Sequence, residues 1–411
     1  MPKISLIFEV HQPLRLRKHG IDRNCENLID RYFSLGFSKF VFDRVANKCY
    51  YPTTHILLEL VNNLKNESKP FKIAFSITGL WLEQAEKWHP YLIELLQQFP
   101  KKCVEFLDET YYHSLASLYN NGKTEFIEQV KEHRELIKSL FGQTPKILTN
   151  TELIYNNKIA QVAEELGYKG IFTEGVPRVL KWRSPNYVYK PPEYVCKNVK
   201  ILLRNRRLTD DVGYRFSSRD WDQWPLTSEK YSAWLAACEG QCVNLFLDYE
   251  TFGEHQWEES GIFWFLKALP YQINKWGNLR FALPSEIVEE FQPVGVFDVF
   301  EFSTISWADL EMDVSAWLGN EMQMKCHKEL EILGEEIKKT GDPELIRIWR
   351  LLQTSDHLHN ICTKWWGDGD VHHYFSYFDT PQQGFATLTD ILLDLKGRIY
   401  QKMLKNNGVK K

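Results

Sequence analysis

The sequence predicts an α/β protein, an incomplete (β/α)7 barrel followed by a helical C-terminal domain. Two observations indicate the barrel: seven short apolar segments rich in branched residues precede residue 249, and segments with helical spacing lie between several of them. Strands that are apolar throughout and alternate with helices are typical of a parallel sheet covered on both faces. A third observation, long amphipathic spacing after residue 304, indicates the helical domain.

The predicted strands are the seven apolar segments, and each ends in polar residues. They cover residues 4–10, 71–77, 103–107, 146–150, 167–173, 198–203 and 243–248. Helical spacing at Glu125–Phe141 and Lys158–Leu166 separates two consecutive pairs of them. Seven such strands with polar ends fit a distorted barrel better than an open sheet.

The predicted domain boundary lies at residue 290. We expect residues 1–290 to form the catalytic barrel and residues 291–411 to form a helical bundle that packs on the barrel and contributes to the cleft. From Ile305 onward, apolar residues recur at three- and four-residue spacing in three long segments. At the start of the second segment, Asp342 is expected to cap a helix that has Pro343 at its first position.

Composition and charge exclude several classes of partner. The chain has 50 Lys and Arg against 54 Asp and Glu, a net charge of −4, so neither nucleic acid nor a membrane surface is indicated. The eight cysteines have no metal-ligand spacing, and the N-terminus enters a strand at once, so we expect a cytoplasmic protein with reduced thiols. The 14% of aromatic residues suits a bulky core and also a cleft for a ligand with flat apolar faces, such as a sugar chain.

Polar side chains follow six of the predicted strands. In parallel α/β barrels the active site lies at the carboxyl ends of the strands. The residues at these ends are His11 and Gln12, Trp81 and Glu83, Glu109 and His113, Asn150 and Glu152, Glu174, and Asp248 and Glu250. Any one of them is more often a helix cap or part of a solvated rim. Six such ends together predict a polar pocket.

A pocket rich in carboxylates, without a nucleophilic Ser or Cys motif, permits two chemistries. One is metal-assisted hydrolysis, in which His and Asp hold a cation. The other is glycoside hydrolysis by two carboxylates, one acting as nucleophile and the other as a general acid that later becomes a base. The residue types alone leave both chemistries open.

At these motifs the sequence resembles glycoside hydrolase family 57. The segments HQP, TGLWLEQ, TNTELIYN, LDYETFGEH and LLQTSDH follow the order and approximate spacing of the family's signature regions, and the resemblance covers essentially the whole chain. It is closest to the α-amylase-like branch. The resemblance implies a retaining enzyme active on α-1,4-glucans such as starch, glycogen or maltodextrin, with no cofactor. It also leaves 4-α-glucanotransferase and branching activity as alternatives on the same site.

The resemblance implies roles for individual residues. Glu152 matches the family's nucleophile and Asp248 matches its general acid/base. Among residues that line the site, His11, Glu83, Glu250 and Asp356 match positions in the signature regions. Like-charge repulsion from Glu250 and desolvation by aromatic walls are expected to raise the pKa of Asp248, so that it keeps its proton.

The predicted binding set has four further members. Gln12, Trp81 and His113 join it because they lie at strand ends, and Trp224 joins it because it lies in a polar loop that could stack on sugar rings. Glu174 also ends a strand. The pattern of family 57 places the nucleophile at a Thr-Glu pair that precedes a helix, so the resemblance favours Glu152 instead.

Two other functions stay open. A metal-dependent carbohydrate deacetylase or mannosidase on a related barrel would need His and Asp ligands at strand ends. Only His11 and His113 lie there, without an H-x3-H motif, and His357 and His359 would face different sides of a helix, so no metal site is predicted. An inactive glucan-binding protein is expected to have replaced a catalytic acid, yet both acids are present. The oligomeric state is not predicted.

Overall fold

The computed structural model describes residues 2–121, 123–364 and 371–406. Its sheet contains β1 Lys3–Val10, β2 Ile73–Ile77, β3 Val104–Phe106, β4 Ile147–Thr149, β5 Gly170–Glu174, β6 Lys200–Arg204, β7 Cys242–Asp248 and β8 Arg280–Phe281. The first seven coincide with the seven predicted strands, which confirms the predicted barrel fold. β8 was not predicted, because two residues are too few to form a recognisable pattern.

The helices lie between and after these strands. They are α1 Leu28–Tyr32, α2 Leu35–Val45, α3 Tyr51–Leu64, α4 Gly79–Trp88, α5 Pro90–Gln97, α6 Thr124–Phe141, α7 Asn157–Glu165, α8 Pro177–Leu180, α9 Arg206–Gly213, α10 Ser228–Ala236, α11 Ile262–Asn274, α12 Pro284–Glu290, α13 Ser315–Leu318, α14 Glu321–Thr340, α15 Pro343–Leu352, α16 Ser355–His359, α17 Val371–Phe375 and α18 Pro381–Asn406. As predicted, Asp342 caps α15, and its carboxylate accepts the N–H groups of Glu344 and Leu345. Across the described part of the chain, no helix combines the length and the apolar character that a membrane crossing requires.

Residues 305–314 are not helical, which corrects the prediction of a continuous helix from Ile305. Asp309 and Met312 adopt φ angles of 57° and 50°, and a positive φ is incompatible with a right-handed helix. Ile305 instead pairs in antiparallel fashion with Tyr155. Aromatic and acidic residues in this segment imitate helical spacing, and the helical prediction applies only from α13 onward.

The strands of the sheet are parallel and follow the order β3-β2-β1-β7-β6-β5-β4, with β8 beside β1. The two ends of this order are linked just beyond β3, where Asp108 forms a parallel bridge with Leu148. The Asp108 N–H donates to the Ile147 carbonyl at 3.0 Å, and the Thr149 N–H donates to the Asp108 carbonyl at 2.7 Å. The sheet therefore curves back on itself, and its carboxyl ends open at one mouth.

Side chains of the strands alternate between two apolar cores. The core on the inner face of the curved sheet contains Ile7, Ala74, Leu107, Ile147, Phe172, Leu202 and Phe246. The core on the outer face packs strand residues such as Phe8 and Phe75 against helix residues such as Leu57 and Leu266. Because residues i and i+2 of a strand share a face, the residue two positions beyond each inner-core side chain also points inward, at the mouth.

The chain divides into two compact units. The first comprises Met1–His11, Val41–Glu109 and Val130–Trp307, and it contains the whole sheet. The second comprises Gln12–Phe40, Thr110–Gln129 and Ala308–Lys411, and in it α14 packs on α15 and α18. The domain division at residue 290 is a different partition of the chain and stays a prediction.

Candidate active site

A row of polar side chains lies above the inner core of the first unit. Each member lies two residues beyond an inner-core side chain, and the members are Glu9, Ser76, Glu109, Thr149, Glu174, Arg204 and Asp248. The strand register places Ser76, Glu9 and Asp248 side by side on β2, β1 and β7. Partners in register share a face of the sheet, so these three side chains point into the mouth together.

Glu152 lies in a left-handed turn directly after β4. Thr151–Leu153 form a 3-10 turn in which φ is 58° at Glu152 and 53° at Leu153. Positive φ is uncommon for residues other than glycine, and such local strain is found preferentially at functional sites. The turn is fixed by its neighbours, because the Thr173 hydroxyl donates to the Leu153 carbonyl at 2.9 Å and the Asn150 amide donates to the Ile154 carbonyl at 2.9 Å.

Trp307 holds the carboxylate of Glu152. Its indole Nε1 donates to Glu152 Oε2 at 2.6 Å, and its backbone N–H donates to the Glu152 carbonyl at 3.2 Å. The indole ring packs edge-on against Phe246, with 5.8 Å between ring centroids, and the Arg204 guanidinium lies 5.6 Å from its centroid. Phe246 precedes Asp248 by two residues on β7. Trp307 therefore connects the turn that carries Glu152 to the strand that ends at Asp248.

Asp248 is the last residue of β7 and is half-buried. Its partner in register on β1 is Glu9. Desolvation, and next the negative charge of Asp248, raise the pKa of the Tyr214 phenol. Asp248 thus lies near a second acid and a phenol at the mouth of the sheet.

Glu250 is buried next to the aromatic residues that flank the mouth. The Tyr50 hydroxyl donates to its carboxylate, and desolvation together with the charge of Glu250 raises the pKa of Tyr50 well above its usual value. The Tyr50 ring packs edge-on against Trp81 at 5.1 Å between centroids. Trp81 is only 2% exposed at the start of α4, and Glu83, two residues later, is half-buried. The structure thus brings Glu250 and Trp81 together through Tyr50.

His11 and Trp224 lie in separate segments of the first unit. His11 Nδ1 and the Thr78 hydroxyl share a hydrogen bond of 3.0 Å, and the same hydroxyl caps α4 by accepting the Trp81 N–H at 3.1 Å. His11 is therefore fixed against the end of β2. Trp224 lies in the loop between α9 and α10, is 44% exposed, and has the Arg219 guanidinium 5.9 Å from its ring centroid.

The second unit carries the other three predicted binding residues. Gln12 Oε1 accepts a hydrogen bond from Arg15 at 3.0 Å. His113 is buried with φ of 50°, and its carbonyl accepts, at 2.9 Å, the N–H of the residue that precedes Asp356. Desolvation raises the pKa of the Tyr377 phenol. The charge of Arg15 lowers this pKa and the charge of Asp356 raises it, so both charged groups act on Tyr377. Gln12, His113 and Asp356 therefore lie in one compact unit.

Glu174, the rival candidate for the nucleophile, is enclosed in a buried ion-pair network. Its Oε2 accepts from the Arg204 guanidinium at 2.8 Å and its Oε1 accepts from the Gly175 N–H at 2.7 Å. Arg204 also donates to Asp210 at 2.6 Å. Desolvation raises the pKa of Glu174, although the charge of Arg204 opposes this effect. A carboxylate enclosed in this way is poorly placed to attack a substrate.

Sequence reasoning missed Glu9 and the buried pair Asp108 and His133. His133 Nδ1 lies 2.6 Å from Asp108 Oδ1, and its Nε2 donates to the Ile77 carbonyl at 2.7 Å. Desolvation lowers the pKa of His133, but the hydrogen bond and charge of Asp108 outweigh it and the pKa is raised. An acid inside an apolar strand was the available signal for Glu9. Asp108 and His133 had no local sequence signal, because His133 follows Asp108 by 25 positions.

The acids of the mouth are also the groups of the first unit that could hold a cation. Glu9 and Glu109 offer carboxylate oxygens within 4.8 Å of each other, and the Ser76 hydroxyl donates to Glu109 at 2.7 Å. Carboxylate oxygens are suitable ligands for hard divalent cations. This arrangement keeps the metal-dependent alternative open to test.

Comparisons with known proteins show which family shares this architecture. The family model described as "Glycosyl hydrolase family 57" matches residues 5–300. A protein named "Putative alpha-amylase" from Methanocaldococcus jannaschii is 46% identical over 412 residues, covering 98% of this chain and 86% of the relative.

Two solved structures share the fold at low identity. A 4-alpha-glucanotransferase from Thermococcus litoralis matches with a TM-score of 0.63 and 15% identity, over 87% of this chain and 56% of that chain. This chain thus spans little more than half the length of that transferase. A family 57-type branching enzyme from Pyrococcus horikoshii matches with a TM-score of 0.65 and 13% identity, over 97% of this chain and 94% of that chain. The family model and the 46% identical relative together show that this chain is an enzyme of the glycoside hydrolase and transglycosylase class and belongs to glycosyl hydrolase family 57.

Proposed function

We propose that the enzyme is a retaining, α-amylase-like glycosidase that acts on α-1,4-glucans such as starch, glycogen or maltodextrin. Glu152 is the nucleophile and Asp248 is the general acid/base. The observation that supports this most strongly is the hydrogen bond from the Trp307 indole to the half-buried Glu152 carboxylate. The competing acid, Glu174, is already engaged by Arg204 and a backbone N–H. The 46% identical relative, named "Putative alpha-amylase", supports the substrate class.

In the first step, Asp248 donates its proton to the glycosidic oxygen while a carboxylate oxygen of Glu152 attacks the anomeric carbon. The bond between that carbon and the glycosidic oxygen breaks, and the leaving sugar departs with a new hydroxyl group. The remaining sugar is then joined to Glu152 as an ester. The Trp307 N–H fixes the orientation of the attacking carboxylate, and a fixed near-attack geometry lowers the barrier.

In the second step, Asp248 acts as a base and removes a proton from water, whose oxygen attacks the anomeric carbon. The ester bond breaks, Glu152 regains its charge, and Asp248 is protonated again. Two inversions at one carbon leave its configuration unchanged. If a sugar hydroxyl replaces water, the same steps produce transfer, so 4-α-glucanotransferase or branching activity is the alternative outcome.

The experiment is incubation of wild type, Glu152→Gln and Asp248→Asn with maltoheptaose, with products separated by chain length and reducing ends counted. We expect shorter sugars from wild type and a loss of at least about a hundredfold in each variant, since general acid–base catalysis alone contributes that much. Glu258→Gln, which neutralises an exposed acid of the same unit, is the matched control. New reducing ends indicate hydrolysis, and a ladder of longer sugars without them indicates transfer.

Two results would contradict the proposal. One is an inert wild type, and the other is a Glu152→Gln variant that keeps full activity. A parallel incubation with a chelator tests the metal-dependent alternative. Full activity after chelation is expected from two-carboxylate chemistry, whereas inactivation that added divalent cation reverses would favour metal-dependent chemistry.

A further inference from the structure

The first unit carries a surface groove that the proposed chemistry does not use. Its volume is about 560 Å³, and it lies between the loop that follows α8 and the segment 296–303. Trp182, Asp298 and Ser303 are among its lining residues. A volume of this size falls in the range of small-molecule sites, which are typically lined by aromatic groups and a few polar groups.

Three large aromatic side chains are exposed in the two segments that bound this groove, and Trp182 is the one that lines it. Trp182 is 90% exposed, Phe302 is 90% exposed and Phe300 is 49% exposed. The rings of Phe300 and Phe302 are nearly parallel, at an angle of 4° with 5.5 Å between their centroids. Clustered exposed apolar surface of this kind marks a binding surface more often than chance exposure does. Flat aromatic rings match the apolar C–H faces of pyranose units.

The charged side chains that line the groove are those of Arg178, Lys181, Arg183 and Asp298. The Arg183 guanidinium donates to three backbone carbonyls, those of residues 179, 180 and 296, so its orientation is fixed by the protein. The Asp298 carboxylate is held by the Asn157 amide at 2.7 Å and by the Tyr194 hydroxyl at 3.4 Å. Fixed acceptors and donors beside aromatic faces are the groups that sugar hydroxyls require.

The groove is joined to the candidate catalytic residue by one short segment. The Val299 carbonyl accepts the Asn157 N–H at 2.8 Å, and Tyr155 and Ile305 exchange hydrogen bonds of 3.0 and 3.1 Å. The same segment then reaches Trp307, which binds Glu152. Trp307 follows Phe302 by five positions, so their Cα atoms lie at most about 17 Å apart.

We propose that this groove, with the platform formed by Trp182, Phe300 and Phe302, is a secondary binding site for an α-glucan chain. The inference rests on the proposed substrate class. A polymer held here keeps its other segments near Glu152, because tethering raises their effective concentration. Short oligosaccharides gain little from a second binding place, because they have few further segments that it could concentrate near Glu152. The site therefore affects binding and cleavage of polymers and leaves cleavage of short chains unchanged.

The test uses the whole chain with Trp182→Ala and Phe302→Ala. Trp264→Ala is the matched control, because Trp264 is a 76% exposed tryptophan of the same unit on α11. Electrophoretic retardation in gels that contain amylopectin measures polymer binding. KM for amylopectin and kcat/KM for maltoheptaose are measured on the same preparations, and gel filtration reports self-association.

We expect each groove variant to lose retardation and to raise KM for amylopectin roughly threefold to tenfold, the factor expected from one lost aromatic contact. Activity on maltoheptaose should stay within twofold of wild type, and Trp264→Ala should match wild type throughout. Retardation of both variants equal to that of wild type overturns the inference. So does gel filtration that shows dimers in wild type and monomers in Phe302→Ala, because the platform then pairs two copies.

Failure of the inference and failure of the proposed function are distinguishable. A wild-type enzyme that cleaves maltoheptaose, with groove variants indistinguishable from it on amylopectin, overturns the groove alone. A wild-type enzyme that is inert on maltoheptaose overturns the proposed function. Loss of retardation in the groove variants would still support glucan binding in that second case, since retardation requires no catalysis.

Discussion

Replacement of Trp307 by Phe isolates one hydrogen bond at the candidate nucleophile. The phenyl ring keeps an aromatic face for Phe246 and Arg204, and only the indole N–H that donates to Glu152 at 2.6 Å is lost. The hydrogen bond favours the ionised carboxylate, and the ionised form is the nucleophile. Removal of the bond therefore shifts the acid limb of the pH profile toward higher pH.

The size of this shift follows from the geometry. A hydrogen bond to a charged group contributes about 1.5–3 kcal/mol. Both side chains are half-buried, so solvent replaces part of the lost interaction, and the lower end, about 1.5 kcal/mol, applies. Since about 1.4 kcal/mol corresponds to one pH unit, the acid limb should move up by about one unit.

The assay is kcat/KM for maltoheptaose between pH 3.5 and 8, for wild type, Trp307→Phe and Trp264→Phe. Trp264 is an exposed tryptophan elsewhere in the unit and controls for the change of residue type. Thermal unfolding at pH 7 checks that the variants fold equally well. An acid limb at the same pH in wild type and Trp307→Phe would refute the reasoning, even if the variant were slower.

Three further predictions concern stability in the first unit. Desolvation raises the pKa of Glu105 to about 7, so between pH 4.5 and 7 the folded state keeps a proton that the unfolded state, with the ordinary pKa of 4.5, has lost. The free energy of unfolding should therefore fall by about 3 kcal/mol over this range. Glu105→Gln should remove most of that fall, as measured by urea titrations. Asp108→Asn leaves His133 charged or unpaired in the interior and should cost about 3–5 kcal/mol in urea unfolding. Gly253→Ala should cost at least about 2 kcal/mol by thermal unfolding, because φ is 111° and a Cβ would lie 2.0 Å from the Lys48 carbonyl oxygen.

Each of these variants has a matched control. Asp222→Asn neutralises an exposed acid and should leave stability within about 0.5 kcal/mol, as should Gly277→Ala, whose Cβ would meet open space. A wild-type free energy of unfolding that rises from pH 4.5 to 7 without change in Glu105→Gln would contradict the assignment of that carboxyl. An Asp108→Asn or Gly253→Ala variant as stable as its control would contradict the packing described.

The sequence predicted those parts of the fold whose signal is local. Seven apolar segments predicted the seven strands, and the Asp342-Pro343 pair predicted the start of α15. The prediction was wrong for residues 305–314, where a helix-like pattern of aromatic and acidic residues occurs in a chain with positive φ at Asp309 and Met312. Backbone conformations of this kind depend on contacts with distant segments, such as the pairing of Ile305 with Tyr155.

The site was predictable as a set of strand ends and not as a set of contacts. The polar residues at the strand ends were named from sequence, but nothing local indicates that Trp307 donates to Glu152, 155 residues away. The enclosure of Glu174 by Arg204 was equally hidden, because both residues simply end apolar strands in the sequence. The catalytic and binding roles stay predictions, and the geometry supplies reasons to prefer Glu152 over Glu174.

The central claim is that Glu152 forms the covalent bond to the substrate. The most direct measurement is mass spectrometry of the enzyme after reaction with a 5-fluoro-α-glucosyl fluoride, which forms the glycosyl ester quickly and releases it slowly. We expect one added sugar on the peptide that contains Glu152, and none in Glu152→Gln. A sugar on the peptide that contains Glu174, or the same labelling in Glu152→Gln as in wild type, would contradict it.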